Sequence, residues 1–272
     1  MANCTRAAIL AAGRGSRMRR DAATAGLSAE QSAAAARGLK GMIPDDRGRP
    51  FLDHVLSSLA DAGITDVCLV IGTEHDVIRE HYALRPPHRL RLAFAVQTDP
   101  TGTADAVLTA ESWTGGNDFL VLNADNLYPV AAIGALVTLS GPGLVAFDRD
   151  ALVRESNIEP ARIGAFAILT LREDDTLAAI VEKPGDRYEV GARGAPMISM
   201  NIWRFGPDFF GACRDVPLSQ RGEHELPLAV GLAISRGTRF RAVRIAAGVL
   251  DLSNSGDIAA VAQRLGAMEI NP

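Results

Sequence analysis

Short apolar runs separated by longer amphipathic stretches organise the first half of the chain. Residues 7–12, 67–72, 92–97, 119–123 and 143–147 are apolar or nearly so over the length of a buried strand. Between them, residues 50–62, 74–82, 103–113 and 130–140 carry helical spacing and are bounded by Gly, Pro or Asp. Alternation of this kind predicts parallel βαβ winding with helices covering the sheet. Beyond Asp148 the rhythm changes. Residues 163–171, 177–182, 197–204 and 239–245 read as strands, and 207–213, 226–236 and 256–265 as helices. This more mixed half predicts antiparallel additions to the same sheet rather than a second core. The pattern therefore gives an α/β fold with a mainly parallel central mixed sheet, in one domain over residues 1–272, and shows no internal repeat.

One segment departs from the rhythm. Residues 21–38 are rich in alanine, Ser28 to Gln31 has capping-box spacing, and Gly38 supplies a stop, so a short helix is expected. It falls between a glycine-rich loop and Lys40, and reads either as a lid over a ligand or as a surface insertion.

Composition narrows the classes. At 272 residues and 47% hydrophobic content the chain can bury a substantial core. A net charge of −4 gives no overall field for a polyanion, so nucleic acid is not an expected partner. Three cysteines, Cys4, Cys68 and Cys213, lack C-x-x-C spacing, which fits a reducing compartment better than a disulfide framework or a zinc site. The opening apolar run is too short for a signal-peptide core, and no stretch approaches the roughly 18 apolar residues of a membrane span. A soluble, cytoplasmic protein without a membrane partner is expected. His54, His75, His81, His88 and His224 are scattered and read as helix or surface polar groups, not as a catalytic base.

The scarcity of lysine supplies the first chemical lead. Only Lys40 and Lys183 occur among 28 Lys and Arg residues. A lysine offers a compact point charge that a planar guanidinium does not copy, which suits a phosphate oxygen. The run Leu10-Ala11-Ala12-Gly13-Arg14-Gly15-Ser16-Arg17-Met18 follows the first strand, at the edge where parallel sheets bind ligands. Its glycines let backbone amides approach phosphate, yet it has neither the third glycine of a dinucleotide fingerprint nor the Gly-Lys-Ser/Thr of a P-loop. Asn123-Ala124-Asp125 ends an apolar strand; Asp125 is placed for magnesium, which needs only one or two carboxylates beside substrate phosphates, or else for a turn. Asp251 offers a second acid with the same two readings. Gln97, followed by Gly102 and Thr103, carries an amide that can read a base edge.

Taken in order and spacing, Leu10 to Met18, Gln97 with Gly102-Thr103-Ala104, Asn123-Ala124-Asp125 and Val181-Glu182-Lys183-Pro184 resemble the sugar-1-phosphate nucleotidyltransferases, also called NDP-sugar pyrophosphorylases. The resemblance implies a Rossmann-like three-layer α/β/α nucleotide-diphospho-sugar transferase fold. It makes residues 1–148 the nucleotide-binding half and 149–272 the sugar-phosphate half. It also implies a magnesium-dependent enzyme that joins a nucleoside triphosphate to a sugar 1-phosphate and releases pyrophosphate. By position, Ala11, Ala12, Gly13, Gly15, Ser16 and Thr103 fall in the nucleotide site. By the same resemblance Gln97 and Gly102 would hold the base. Arg17, Lys40 and Lys183 would be the catalytic cations, and Asp125 and Asp251 the magnesium ligands. Asn123, Glu182, Lys183, Ser199 and Asn201 would bind the sugar phosphate. Gln97 resembles the glutamine of pyrimidine-using members, favouring UTP or dTTP over GTP.

This chain departs from the family pattern in four places. Ser16 stands for the usual threonine, and Leu39 precedes Lys40 where the family has proline. The segment Ser199-Met200-Asn201-Ile202-Trp203 lacks the common Gly-Ile-Tyr or Gly-Leu-Tyr ending, and no C-terminal β-helical acyltransferase domain is expected. Two other functions fit the same motifs. One is transfer to a different acceptor, such as phosphocholine or a cyclitol phosphate; the other is an inactive nucleotide-sugar sensor, against which Arg17, Asp125, Lys183 and Asp251 all remain. A homo-oligomer is compatible with the family.

Overall fold

Alternate side chains of the central strands enter two separate cores, and this division sets the layers. The structure, a computed structural model, describes residues 3–21, 26–183 and 196–272, without the side chains of Arg17, Arg20 and Asp21. β1 (Arg6–Leu10), β2 (Asp66–Gly72), β3 (Arg91–Gln97) and β4 (Phe119–Asn123) run parallel in the order β3-β2-β1-β4. Ala7 and Ile9 of β1 face one core while Ala8 faces the other, and Leu120 and Phe119 of β4 divide in the same way.

Helices close both faces. α1 (Ser16–Asp21) and α2 (Ala29–Ala36) follow β1, and α3 (Phe51–Asp61) and α4 (Asp76–Leu84) flank β2. In α3, Phe51, Leu52, Val55, Leu56 and Leu59 repeat at helical spacing and are all buried, each contributing about 1.5–3 kcal/mol of apolar burial. α5 (Thr103–Thr109) and α6 (Glu111–Thr114) divide the single helix expected over 103–113 at Ala110. β5 (Asn126–Leu127), α7 (Val130–Thr138), β6 (Gly143–Asp148) and α8 (Arg149–Glu155) follow. α8 was not expected from the pattern; Asp148 caps it, accepting from the Ala151 amide at 2.8 Å.

In the second half, β7 (Ala167–Leu171) and β8 (Leu177–Val181) form a hairpin, and β9 (Met197–Ser199) and β10 (Trp203–Phe205) are two pieces of the strand expected over 197–204. α9 (Phe209–Asp215), α10 (Leu226–Ser235), β11 (Arg241–Ile245), β12 (Leu250–Asp251) and α11 (Ile258–Gly266) complete the described chain. The start of the strand expected at 163 is instead a 3-10 turn, Pro160–Ala165. α3, α7 and α11 pack on one face, and α5, α9 and α10 on the other, giving three α/β/α layers. Among the described residues no helix is long and apolar enough to cross a membrane.

The antiparallel additions occur as the pattern predicts, apart from β11, which is parallel to β6. β10 lies between β4 and β6, while β9 lies between β6 and β7, antiparallel in every case. Because β11 pairs along β6 from Gly143 to Phe147, β9 and β10 must share the opposite flank. β4 and β7 therefore compete for one lane beside them. The sheet resolves this by forking at Met200–Ile202, where Asn201 takes a left-handed φ of 58°. The fork opens beyond the end of β4.

Candidate functional site

The glycine loop begins at the carboxyl end of β1. Ala11 still reaches β2 through its amide to the Val70 carbonyl, 2.8 Å, before the chain enters the loop, in which Gly15 takes a φ of 57°. Beneath it, the 2% exposed His75 places Nδ1 at 3.0 Å from the Ala11 carbonyl and 3.2 Å from the Gly72 amide. Burial pushes the His75 pKa below its ordinary value, so it serves as a neutral strut. Sequence reasoning read His75 and His54 as helix or surface polar groups; His54 lies within α3 and His75 stands at the N-cap of α4, and both are buried rather than on the surface. His54 Nε2 meets Asp45 at 3.0 Å in a turn that Arg49 also joins.

The alanine-rich insert is a capped helix, as its spacing predicts. Ser28 Oγ accepts from the Gln31 amide and Gln31 Oε1 from the Ser28 amide, both at 3.1 Å, and Gln31 also donates to the Pro44 carbonyl. The helix returns the chain to the glycine loop: Gly38 has φ 73°, and a Cβ there would stand 2.4 Å from the Arg14 carbonyl oxygen. Gly15, at φ 57°, abuts Gly38 in turn. This backbone contact brings Lys40 beside the loop despite the inserted residues. Ser16 opens α1, and Arg17 follows it there, with a side chain outside the described residues.

Lys40 Nζ lies 2.7 Å from Asp125 Oδ2, so two residues 85 positions apart meet. β5 and β12 pair antiparallel with Asn126 opposite Asp251, and the Leu252 amide donates to the Asp125 carbonyl at 2.8 Å. This two-stranded ribbon brings the two expected metal ligands together. Asp251 is 2% exposed. Its Oδ1 accepts from Asn126, 3.0 Å, and Ser253, 2.7 Å, while Arg162 donates to Oδ2. Burial raises the Asp251 pKa, and the nearby charge of Asp125 adds to the rise. Two adjoining carboxylates suit a divalent cation, which takes oxygen ligands from one or two carboxylates beside substrate phosphates, so the residues present fit magnesium.

Gln97 ends β3. Its Nε2 donates to Asp105 Oδ2 at 2.7 Å and to the Gly102 carbonyl at 3.1 Å. Both partners are acceptors, so the orientation of the amide is fixed. Gly102 adopts φ 142°, and a Cβ would stand 2.3 Å from the His224 carbonyl oxygen. The Ala104 amide bonds that same carbonyl at 2.9 Å, and Thr103 Oγ1 accepts from the Leu226 amide at 2.8 Å. The glycine requirement here arises from strand-like docking of 101–104 on 224–226.

The remaining predicted residues border the fork. Asn123 ends β4, Ser199 ends β9, and Val181 pairs with Ile168, which sets Glu182 beside the start of β7. Lys183 follows with φ 46°, an uncommon conformation for a side-chain-bearing residue. Its ammonium is 3.4 Å from Glu182 Oε1. Glu182 Oε2 and Asn201 Oδ1 are buried with no hydrogen-bond partner among the described residues. Burial raises the Glu182 pKa while Lys183 opposes the rise. Ser199 is turned inward, its Oγ accepting from the Asn201 amide at 3.2 Å, and Pro184 of the Glu-Lys-Pro motif lies outside the described residues. Sequence reasoning missed Asp105, Arg162 and Asn126; each acts through a partner far away or off the motif, and no spacing signals it.

Comparison with known proteins follows the same lines. The sequence model of the nucleotidyl transferase family matches residues 6–243. A UTP–glucose-1-phosphate uridylyltransferase of Haloferax volcanii is 28% identical over 260 residues, covering 95% of this chain and 96% of that protein. A glucose-1-phosphate thymidylyltransferase of Streptomyces antibioticus is 28% identical, covering 93% of this chain and 64% of its own length. Among solved structures, a UDP-glucose pyrophosphorylase complexed with UDP-glucose superposes with a TM-score of 0.75 at 16% identity, covering 97% and 98% of the two chains. The inositol-1-phosphate CTP transferase of T. maritima gives a TM-score of 0.73 at 16% identity over 97% and 96%. Both share the fold.

Proposed function

Because the chain belongs to the nucleotidyl transferase family, we propose that it joins UTP or dTTP to a sugar 1-phosphate, releasing pyrophosphate. The observation that carries the acceptor is the set at the fork. Among the described residues Glu182 Oε2 and Asn201 Oδ1 are buried acceptors without donors, and the Lys183 ammonium stands beside Glu182. A sugar 1-phosphate supplies hydroxyl donors for the first two and an anion for the third. The relatives that act on glucose 1-phosphate with UTP or dTTP support this reading of the nucleotide.

The chemistry is displacement at the α-phosphorus: a sugar-phosphate oxygen attacks and the bond to pyrophosphate breaks. Two anions must meet for this, and like unit charges at ~4 Å repel by about 4 kcal/mol at an effective dielectric near 20. Lys183 neutralises the incoming phosphate. Lys40 leaves Asp125 for the triphosphate, and the glycine loop presents its amides to the same group. Asp125 and Asp251 would hold magnesium, which would supply positive charge to offset that of the phosphates. Gln97 holds the base with its amide fixed by Asp105. No general base is required, since the attacking phosphate oxygen is already ionised at neutral pH, and the buried His54 and His75 are engaged elsewhere.

A cyclitol phosphate offers the same hydroxyl and phosphate groups, and a structural neighbour is an inositol-1-phosphate CTP transferase. The test is pyrophosphate release across nucleoside triphosphates paired with sugar 1-phosphates, inositol phosphate and phosphocholine. The expected outcome is a signal confined to a pyrimidine triphosphate with a sugar 1-phosphate. Turnover only with inositol phosphate or phosphocholine would replace the sugar reading, and nucleotide binding without turnover would replace the enzyme by a sensor.

A further inference from the structure

Arg162 touches the expected metal site from an element that no motif marks. It lies in the Pro160–Ala165 turn, and its guanidinium bridges two carboxylates. Nη2 donates to Asp251 Oδ2, while Nη1 donates to Asp257 at 3.0 Å to Oδ1 and 3.3 Å to Oδ2. Asp257 is itself anchored, since its Oδ2 accepts from the Asn254 amide at 3.0 Å. Among the described residues, Asp251 Oδ1 accepts from the neutral donors Asn126 and Ser253. Asp251 therefore has a resident cation on one oxygen, and Asp125 has another in Lys40.

We propose that Arg162 is a displaceable counter-ion: it holds Asp251 in the metal-free protein, and an arriving divalent cation moves it wholly onto Asp257. The proposal rests on the reading of Asp125 and Asp251 as the metal ligands. A dication on Asp251 and a guanidinium on the same carboxylate repel each other, so one of them must withdraw. Arg162 can do so without losing an anionic partner, because Asp257 already takes its other nitrogen. The arrangement lets two neighbouring carboxylates, one of them 2% exposed, stay paired before the metal arrives. Arg162 and Lys40 would then be exchanged for the metal in one event, which frees Lys40 when the nucleotide needs it. Arg162 is a positioning residue, acting through Asp251.

The test is manganese binding to the full chain without nucleotide, followed by the electron paramagnetic resonance of free Mn2+. Arg162→Gln removes the competing cation and is expected to bind Mn2+ roughly tenfold tighter, a size typical of residues that contact metal ligands but with the opposite sign to the usual loss. Asp257→Asn removes the carboxylate that receives the guanidinium and is expected to bind more weakly than the parent. Should Arg162→Gln fail to fold, Asp257→Asn decides alone. Unchanged or weaker binding in Arg162→Gln, or unchanged or tighter binding in Asp257→Asn, overturns the counter-ion role. An Asp125→Asn control separates the two levels. If it binds Mn2+ as the parent does, or if no protein binds, the metal reading itself falls and the counter-ion role with it.

Discussion

Lys40 rests on Asp125 and Lys183 on Glu182, so each of the chain's two lysines is held by a carboxylate at the place where a phosphate is expected. Under the proposed function they meet different phosphates, Lys40 the triphosphate and Lys183 the sugar 1-phosphate. Lys183→Ala is expected to raise the KM for the sugar 1-phosphate by about 10- to 100-fold, the loss of one charge-assisted hydrogen bond of roughly 1.5–3 kcal/mol, with little change in the KM for the triphosphate. Steady-state kinetics with each substrate varied in turn checks this, and equal losses for both would contradict the assignment. These lysines, the two aspartates and Gln97 were legible because their identity was unusual or their motif was local. His75, Asp105 and Arg162 were not. Each touches a site residue across 64, 8 and 89 positions respectively, and a lone histidine, aspartate or arginine carries no sequence signal of such a contact.

At the scale of elements, the alanine-rich helix and the glycine loop act as one unit because Gly15 and Gly38 meet backbone to backbone. Gly38→Ala places a Cβ 2.4 Å from the Arg14 carbonyl oxygen at a φ of 73°. The expected cost is about 1–3 kcal/mol of stability, with weaker nucleotide binding as the loop is displaced. Urea unfolding and a nucleotide titration measure the two effects; unchanged binding would separate the loop from the nucleotide site. The capping box that starts this helix was readable from Ser28 and Gln31, since both partners lie within one turn. The break between β9 and β10 was not, because Met200-Asn201-Ile202 continues the apolar run and only the competition of β4 and β7 for one lane forces the chain to kink. The pairing of β5 with β12 escaped for a related reason: two residues each are too short to show a period, yet they join Asp125 to Asp251.

Across the whole molecule, the parallel strands deliver the glycine loop, Gln97 and Asp125 to one sheet edge, while the fork sets Asn201 beyond the end of β4 and Glu182 and Lys183 follow the end of β8. Under the proposed function, the sheet edge would support the nucleotide and the residues after β8 and β9 the sugar phosphate. Alternation of short apolar runs with amphipathic stretches was enough to foresee the parallel half, since a strand buried on both faces reads as a continuous run. It could not foresee the fork, which depends on which strands lie side by side. The most direct measurement is 31P NMR of UTP or dTTP with glucose 1-phosphate, magnesium and the protein. The account predicts that the three triphosphate resonances are replaced by a pyrophosphate signal and the pair of a nucleotide diphosphate sugar, in equal amounts and only when both substrates are present. Orthophosphate in place of pyrophosphate, or pyrophosphate released without the sugar phosphate, would contradict it.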